Sequence, residues 1–408
     1  MIDAAPLAMF LTTFIALIAG YPVALTLAGV ALIFALIGTV FGIFNPSDLG
    51  FAAGRLFGLV TNQTLIAIPL FVFMGVTLEK TKIAESLLSD LSSLFGRSRS
   101  GLAATVILVG ALMAASTGIV GATVVTMSLM ALPVMLKAGY DARLATGTIS
   151  ATGTLGQIIP PSIALVLLGD VLSNAYQQAQ LNQGIFAPKS VSVGDLFAGA
   201  IVPGLCLVIL YLLYVYTNIL LSKNKIDSQR ASDQKFNVFS LFASLAPPLL
   251  LIFAVLGSII LGYATPTEAA GIGAAGAILI GIATKRLEFS TIKAISESTL
   301  STTGMVFFIL IGASIFSLVF RGFGGDEQIQ GFFDAMPGGV TTALVVVMVV
   351  IFLLGFILDF IEITFVVVPI VGPVLLAMGV DPIWLGVVIA INLQTSFLTP
   401  PFGFALFY

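Results

Sequence analysis

Long apolar stretches separated by short polar ones fill this chain from end to end. Predominantly apolar runs of about 17 to 25 residues recur throughout, the length an α-helix needs to cross roughly 30 Å of hydrocarbon. The short alternating segments of a membrane β-barrel are not part of the pattern. The runs predict helices at about 5 to 20, 22 to 42 and 64 to 80, then two shorter arms at about 102 to 115 and 118 to 136 joined by Ser116-Thr117-Gly118. Stretches at 144 to 170 and 196 to 222 complete a first half, which a polar linker at 223 to 240 closes. The second half predicts helices near 243 to 262 and 266 to 284, an interfacial amphipathic stretch at 290 to 303 and a span at 304 to 320. A second pair of arms, about 340 to 357 and 363 to 378, and a last apolar segment at 382 to 408 follow.

Two Pro-Pro pairs interrupt these stretches, Pro160-Pro161 and Pro400-Pro401, 240 residues apart. At the same offset Pro133 meets Pro373, Val134 meets Val374, Leu136 meets Leu376, Gly139 meets Gly379 and Asp141 meets Asp381. At an offset of 242, Gly20-Tyr21 meets Gly262-Tyr263, and Ala28-Gly29-Val30 meets Ala270-Gly271-Ile272. Pro and Asp are scarce in such a chain, so the matches predict a duplicated unit, residues 1–222 and 241–408, of the kind found in secondary transporters. The first half runs on past Pro161 to Leu221, whereas the second stops at Tyr408. The repeat therefore predicts a C-terminal truncation, with about one further helix beyond Tyr408.

Composition narrows the class. Of 408 residues, 59% are hydrophobic and 9% charged, with a mean hydropathy of +1.15, outside the range of soluble domains. The chain reads as an all-α polytopic membrane protein. No cleavable signal peptide is evident, because Met1 to Pro6 carries no basic residue. The single cysteine, Cys206, excludes an intramolecular disulfide and reads as packing.

Charge placement sets orientation. Of 16 Lys and Arg, 13 fall in four segments: Lys80, Lys82, Arg97 and Arg99; Lys137 and Arg143; Lys223, Lys225, Arg230 and Lys235; Lys285, Arg286 and Lys293. Arg55, Lys189 and Arg321 stand alone. The positive-inside rule makes the four segments cytoplasmic and the N-terminus periplasmic. The arms at 102 to 136 then begin and end inside. A re-entrant hairpin and two short crossings both satisfy the charges, and the small polar tip favours the hairpin. The segment 321 to 339, acidic through Asp326, Glu327 and Asp334, lies outside, so the second hairpin dips from the opposite face. The halves come out with inverted topology.

Chemistry concentrates at the breaks and tips. Proline removes a backbone donor and blocks the carbonyl one turn back, so the stretch Thr152-Gly153-Thr154-Leu155-Gly156-Gln157-Ile158-Ile159-Pro160-Pro161 is expected not to be regular helix. Freed backbone groups together with Thr152, Thr154 and Gln157 suit a small hard cation. The second break, Asn392-Leu393-Gln394-Thr395-Ser396-Phe397-Leu398-Thr399-Pro400-Pro401, carries the same groups. The competing reading is a structural kink whose hydroxyls bond back to helix carbonyls. Of the tips, Ser116-Thr117-Gly118 with Gly121 and Thr123 is neutral, and Asp359 to Thr364 is acidic. Acids at membrane depth mark ion or substrate paths, but Asp359 also suits a helix N-cap, and Glu362 either binds a cation or lies at the interface. Glu268, after Thr265-Pro266-Thr267, reads as a capping residue.

Absences exclude other functions. Without histidine there is no His proton relay and no Ser-His hydrolase. No Gly-Lys-Ser/Thr phosphate loop occurs. No basic residue is predicted deep in a span, so an anionic solute would be held by helix N-termini, hydroxyls and cations. Moving an anion into a negative interior costs about 2.3 kcal/mol per charge per 100 mV, which favours cation coupling. An intramembrane enzyme using Asp359 with Asp381 is disfavoured, because Asp381 falls in an outside loop and such catalysis needs two close carboxylates.

Three stretches, Gly110 to Thr123, Ala151 to Ser162 and Leu398-Thr399-Pro400-Pro401-Phe402-Gly403, resemble motifs of the large membrane subunit of tripartite ATP-independent periplasmic (TRAP) transporters, and the likeness spans the chain. The resemblance implies an elevator-type fold, akin to the ion-transporter superfamily, with two re-entrant hairpins and two Pro-broken helices, in the bacterial inner membrane. It implies Na⁺ as coupling ion and an organic-acid substrate. It also implies two separate partners, a small four-helix membrane subunit (Q type) and a periplasmic substrate-binding protein (P type). By this analogy sodium lies at Ser116, Gly118, Thr152, Gly153, Gly156 and Pro160, and at Asp359, Glu362, Asn392, Ser396 and Thr399. Substrate contacts fall to Ser116, Thr117, Gly118, Gly121, Thr154, Gln157, Asp359, Thr364, Gln394 and Thr395. A stand-alone Na⁺/dicarboxylate symporter is the alternative.

Overall fold

The structure, a computed structural model, describes residues 4–95, 98, 100–118, 120–221, 238–400 and 403–406, all helix and connecting turns with no strand among them. Among the described residues seven helices are long and apolar enough to cross a membrane, and a pair bent by 54°, Pro46–Thr61 with Thr64–Lys80, makes an eighth if counted as one span. The chain forms two compact units, each interleaving both sequence halves.

The first unit comprises 1–65, 167–192 and 302–393. It contains α1 (Ala5–Ile18), α2 (Val23–Val40), α3 (Phe51–Thr61) and most of α9 (Ile163–Asn182). It also holds the C-terminal part of α13 (Phe289–Gly322), then α14 (Gly325–Asp334), α15 (Gly339–Leu354), α16 (Phe360–Ala377) and the start of α17 (Pro382–Leu398). Met9, Leu27, Ala31, Phe316, Phe320 and Val366 are among its fully packed core residues. Gly312 lets α13 close on α2, since a Cβ there would run into the Ala24 carbonyl.

The second unit comprises 66–166, 193–301 and 394–408. Its helices are α4 (Ala67–Lys80), α5 (Ile83–Phe95), α6 (Gly101–Thr117), α7 (Val120–Lys137), α8 (Ala142–Thr154), α10 (Val193–Leu221), α11 (Val238–Ile260) and α12 (Pro266–Ala283). Helix α10 exposes Val202, Leu205 and Leu213, the apolar surface a membrane helix turns to lipid. Cys206 is exposed on the same helix, which corrects its reading as a packing residue. Helix α12 starts as its sequence requires. Thr265 and Glu268 form a reciprocal capping box, with Pro266 in the first turn, where its missing N–H costs nothing.

Several sequence boundaries shift. The amphipathic stretch at 290–303 and the span at 304–320 are one continuous helix, α13, because Gly304 alone does not stop a helix and the exposed Lys293–Glu297 pair extends it into water. Segment 83–95, read as a cytoplasmic connection, is the amphipathic helix α5. Helix α9 continues to Asn182, well past the expected end at 170. The linker at 223–240 lies outside the described residues as far as 237, as do Arg97, Arg99, Pro401 and Phe402.

Candidate functional site

In the second unit α6 and α7 form an antiparallel hairpin whose tip turns at Gly118, with φ +63°. That left-handed geometry is open to glycine and costs other residues. Small residues seat this hairpin on α8 and the break. A Cβ at Gly110 would strike the Thr152 methyl, and one at Gly153 the Val124 side chain. A Cβ at Gly156 would lie 3.2 Å from the Ala114 carbonyl oxygen, and one at Gly118 3.2 Å from the Ile163 amide. Close approach through small residues is how membrane helices gain packing without a hydrophobic driving force.

The break is shorter than predicted. Helix α8 is regular through Thr154, tightens to a 3-10 turn over Leu155–Gln157, and only then opens before α9. Pro160 blocks the carbonyl four residues back, at Gly156, so Thr152, Gly153 and Thr154 remain helical. The Pro160-Pro161 bond is cis. The second break behaves likewise. Helix α17 runs to Leu398, so Asn392, Gln394, Thr395 and Ser396 are helical, and the irregular backbone is confined to Thr399 onward.

Some hydroxyls follow the structural reading. Thr152 Oγ1 donates to the Thr148 carbonyl (2.6 Å), Thr154 Oγ1 to Ala151 (2.8 Å), Ser116 Oγ to Met113 (2.8 Å) and Thr399 Oγ1 to Thr395 (2.8 Å). These are ordinary i−3 and i−4 back-bonds. The Thr117 side chain lies outside the described part, and Gly121 is half-buried in the first turn of α7.

The amides behave differently. Gln157 is 1% exposed, and neither Oε1 nor Nε2 has a hydrogen-bond partner. Gln394 is 2% exposed. Its Nε2 donates to Thr154 Oγ1 (3.3 Å) and Tyr211 Oη (3.0 Å), while its Oε1 has no partner. Ser396 Oγ is buried and equally unpartnered. Leaving a buried polar atom unpaired costs about 1–3 kcal/mol. Four such atoms belong to residues of the two breaks, all in the second unit. Gln394 also lies 240 positions after the Thr154 it touches. Tyr211 went unnoticed in the sequence, where only a phenol within an apolar helix could have flagged it. Beside Tyr211 opens a cavity of about 1010 Å³ between α8 and α10, reached by Thr148, Asp141 and Arg143.

The first unit holds the acidic tip. Asp359 and Glu362 form a capping box at the start of α16. Asp359 Oδ1 accepts from the Phe360 amide (2.7 Å), and Glu362 Oε2 from the Asp359 amide (3.1 Å). Capping accounts for both side chains, while free carboxylate lone pairs remain. The next turn, Ile363–Val367, winds wider as a π-helix, a distortion frequent at functional sites. It carries Thr364, whose buried Oγ1 is unpartnered. Asn392 Nδ2 donates to the Met348 carbonyl on α15 (2.7 Å), tying this hairpin's first arm to α17. No group of three His, Cys, Asp or Glu side chains that could hold a metal occurs among the described residues.

A helical hairpin seated on a proline-broken helix, within an all-helical membrane chain, defines a transporter-type membrane protein. The fold is similar to the Alcanivorax borkumensis YdaH transporter (TM-score 0.66, 16% identity, 90% of this chain and 81% of that one). It is also similar to Neisseria gonorrhoeae MtrF (TM-score 0.57, 16% identity, 88% and 76%). The chain belongs to the DctM component family of tripartite ATP-independent periplasmic transporters, whose family model matches residues 10–408. Relatives include the C4-dicarboxylate TRAP transporter large permease DctM of Pseudomonas aeruginosa (28% identical, 90% of this chain, 81% of the relative). The sialic acid large permease SiaM of Vibrio cholerae (28%, 96% and 86%) and the ectoine/5-hydroxyectoine large permease UehC of Ruegeria pomeroyi (27%, 98% and 88%) are similar over the same span.

Proposed function

We propose that this TRAP large membrane subunit carries an organic acid into the cell, coupled to Na⁺. A periplasmic binding protein delivers the solute, and the chain sits in the bacterial inner membrane beside a small four-helix subunit. The amide oxygens of Gln157 and Gln394, buried without a partner on either side of Thr154, are the observation that carries this reading. Neutral oxygens from an amide and a hydroxyl are the ligands a hard monovalent cation takes. Thr154 and Gln394 touch at a separation of 240 residues, the period of the Pro-Pro pairs. Residues related by a pseudo-two-fold axis meet only near that axis, so the contact supports an inverted repeat with the ion site at its centre.

Relatives named for C4-dicarboxylates, sialic acid and ectoine handle solutes that share a carboxylate, which supports an organic acid as cargo. The cavity beside Tyr211 supplies a route toward Asp141 and Arg143, in a segment predicted to be cytoplasmic, and an elevator movement of the second unit would expose the site to each side in turn. The test is reconstitution with the two partner proteins and an imposed Na⁺ gradient. Uptake of an organic acid only when both the gradient and the binding protein are present supports the proposal. Uptake by the chain alone would instead make it a stand-alone symporter, and gradient-independent uptake would remove Na⁺ from the mechanism.

A further inference from the structure

Within the first unit, three helices that are otherwise largely apolar turn polar stripes toward one cavity of about 540 Å³. That volume suits a metabolite. Helix α3 contributes Arg55, and its extended C-cap residue Asn62 reaches the same cavity. Helix α9 contributes Asp170, Asn174 and Gln178 at successive fours, and α13 contributes Ser314, Ser317 and Arg321 at i, i+3 and i+7. Three stripes in register with one cavity do not follow from lipid-facing packing, which would place apolar side chains there.

The charges are arranged rather than cancelled. Arg55 is half-buried and has no ion-pair partner within 4 Å among the described residues. Arg321 stands near enough to Arg55 to repel it, and its Nε donates to Asp326 Oδ2 at 3.2 Å. Burial pushes the Asp326 carboxyl above the usual carboxylate range against the pull of Arg321 and Arg55, so a single carboxyl faces two guanidinium groups. On the far wall Asp170 Oδ1 accepts from Asn62 Nδ2 at 3.0 Å. Seven residues of helix separate the Arg55 and Asn62 Cα atoms by about 10 Å, the reach of a small solute with an anionic end and a hydrogen-bond donor. Arg55 and Arg321 lie in segments that the charge pattern predicts to be periplasmic, Asp170 ends the outward crossing at 144 to 170, and Ser314 and Ser317 lie toward the outer end of the span at 304 to 320.

We propose that this cavity is an outward-facing receiving site for a small organic acid, its carboxylate gripped by Arg55 with Arg321 and its hydroxyl or ammonium donor bonded to Asp170. A guanidinium binds carboxylate in a two-pronged, oriented manner. Asp170 repels a second carboxylate and accepts from a donor, so the site selects hydroxy or amino acids over plain dicarboxylates. The proposal rests on the organic-acid import reading.

The test uses the assembled transporter in right-side-out vesicles with Cys206→Ser and Ser314→Cys, labelled from outside by a membrane-impermeant maleimide. L-lactate and L-serine should slow labelling at least fivefold, and succinate less than twofold. Arg55→Gln should abolish protection, Arg55→Lys should retain part of it, and Asp170→Asn should remove the difference between L-lactate or L-serine and succinate. Labelling in the absence of solute verifies that each variant is folded. Failure of position 314 to label from outside, or protection unchanged by Arg55→Gln, overturns the site. Na⁺-driven uptake in the same vesicles is read separately. Intact uptake without protection sinks this site alone, whereas protection without any Na⁺-driven uptake sinks the import reading.

Discussion

Gln394 hands its amide protons to Thr154 and Tyr211, which fixes the direction of the remaining oxygen. Replacing Gln394 by Leu removes that acceptor at nearly constant volume, and replacing Ser396 by Ala removes the adjacent hydroxyl. Each should raise the Na⁺ concentration for half-maximal uptake at least tenfold, with the protein still folded by thermal-shift assay. Tyr211→Phe tests the aim of the amide rather than its presence, and a shift of about threefold is expected from losing one net hydrogen bond of about 0.5–1.5 kcal/mol. Unchanged Na⁺ dependence in all three would remove these residues from the ion site. The residue types were legible in the sequence, because amides and hydroxyls before a Pro-Pro pair stand out in an apolar chain. Their division of labour was not. Thr152 and Thr154 spend their protons on the preceding turn, while Gln157 and Gln394 keep unpaired atoms.

At the scale of elements, the first hairpin and the break are joined by glycines that admit no side chain. Gly153→Ala would push α8 off α7 at Val124, an overpacking error expected to cost about 1–3 kcal/mol. Gly118→Ala forces a side chain into the left-handed region at the tip, at about 1–2 kcal/mol. Both variants should lower the midpoint of thermal unfolding by several degrees. Gly147→Ala, on the same helix as Gly153 with open space around its Cβ, should leave it unchanged, and equal effects at Gly147 and Gly153 would argue against a close-packed seat. Hydrophobic run lengths located both hairpins to within two or three residues. They misplaced the extent of the breaks, because a proline perturbs only the turn before it. They also split α13 in two, because hydropathy cannot tell a helix leaving the membrane from a helix ending.

At the scale of the whole molecule, the proposed Na⁺ coupling makes the number of Na⁺ ions relative to solute charge decide whether transport moves net charge. If net positive charge enters, an inside-negative potential of 100 mV adds about 2.3 kcal/mol of driving force per charge. A potassium diffusion potential of that sign, set with valinomycin in vesicles, should stimulate uptake, and reversing it should inhibit. Indifference to the potential would mean that Na⁺ and solute charges balance.

Run length and composition determined by themselves that this is a polytopic helical membrane protein with two helical hairpins, and proline placement that a helix breaks at Pro160-Pro161. Those properties follow from transfer free energies and proline sterics, which act on each segment independently of the rest of the chain. Tertiary structure alone decided that Thr154 meets Gln394, that Tyr211 aims that amide, and that Arg55, Asp170 and Arg321 share one cavity. Those facts depend on which helices pack together, and in a chain this apolar many pairings satisfy the hydropathy pattern equally well. Only close contact at small residues and the pairing of scarce polar groups select among them.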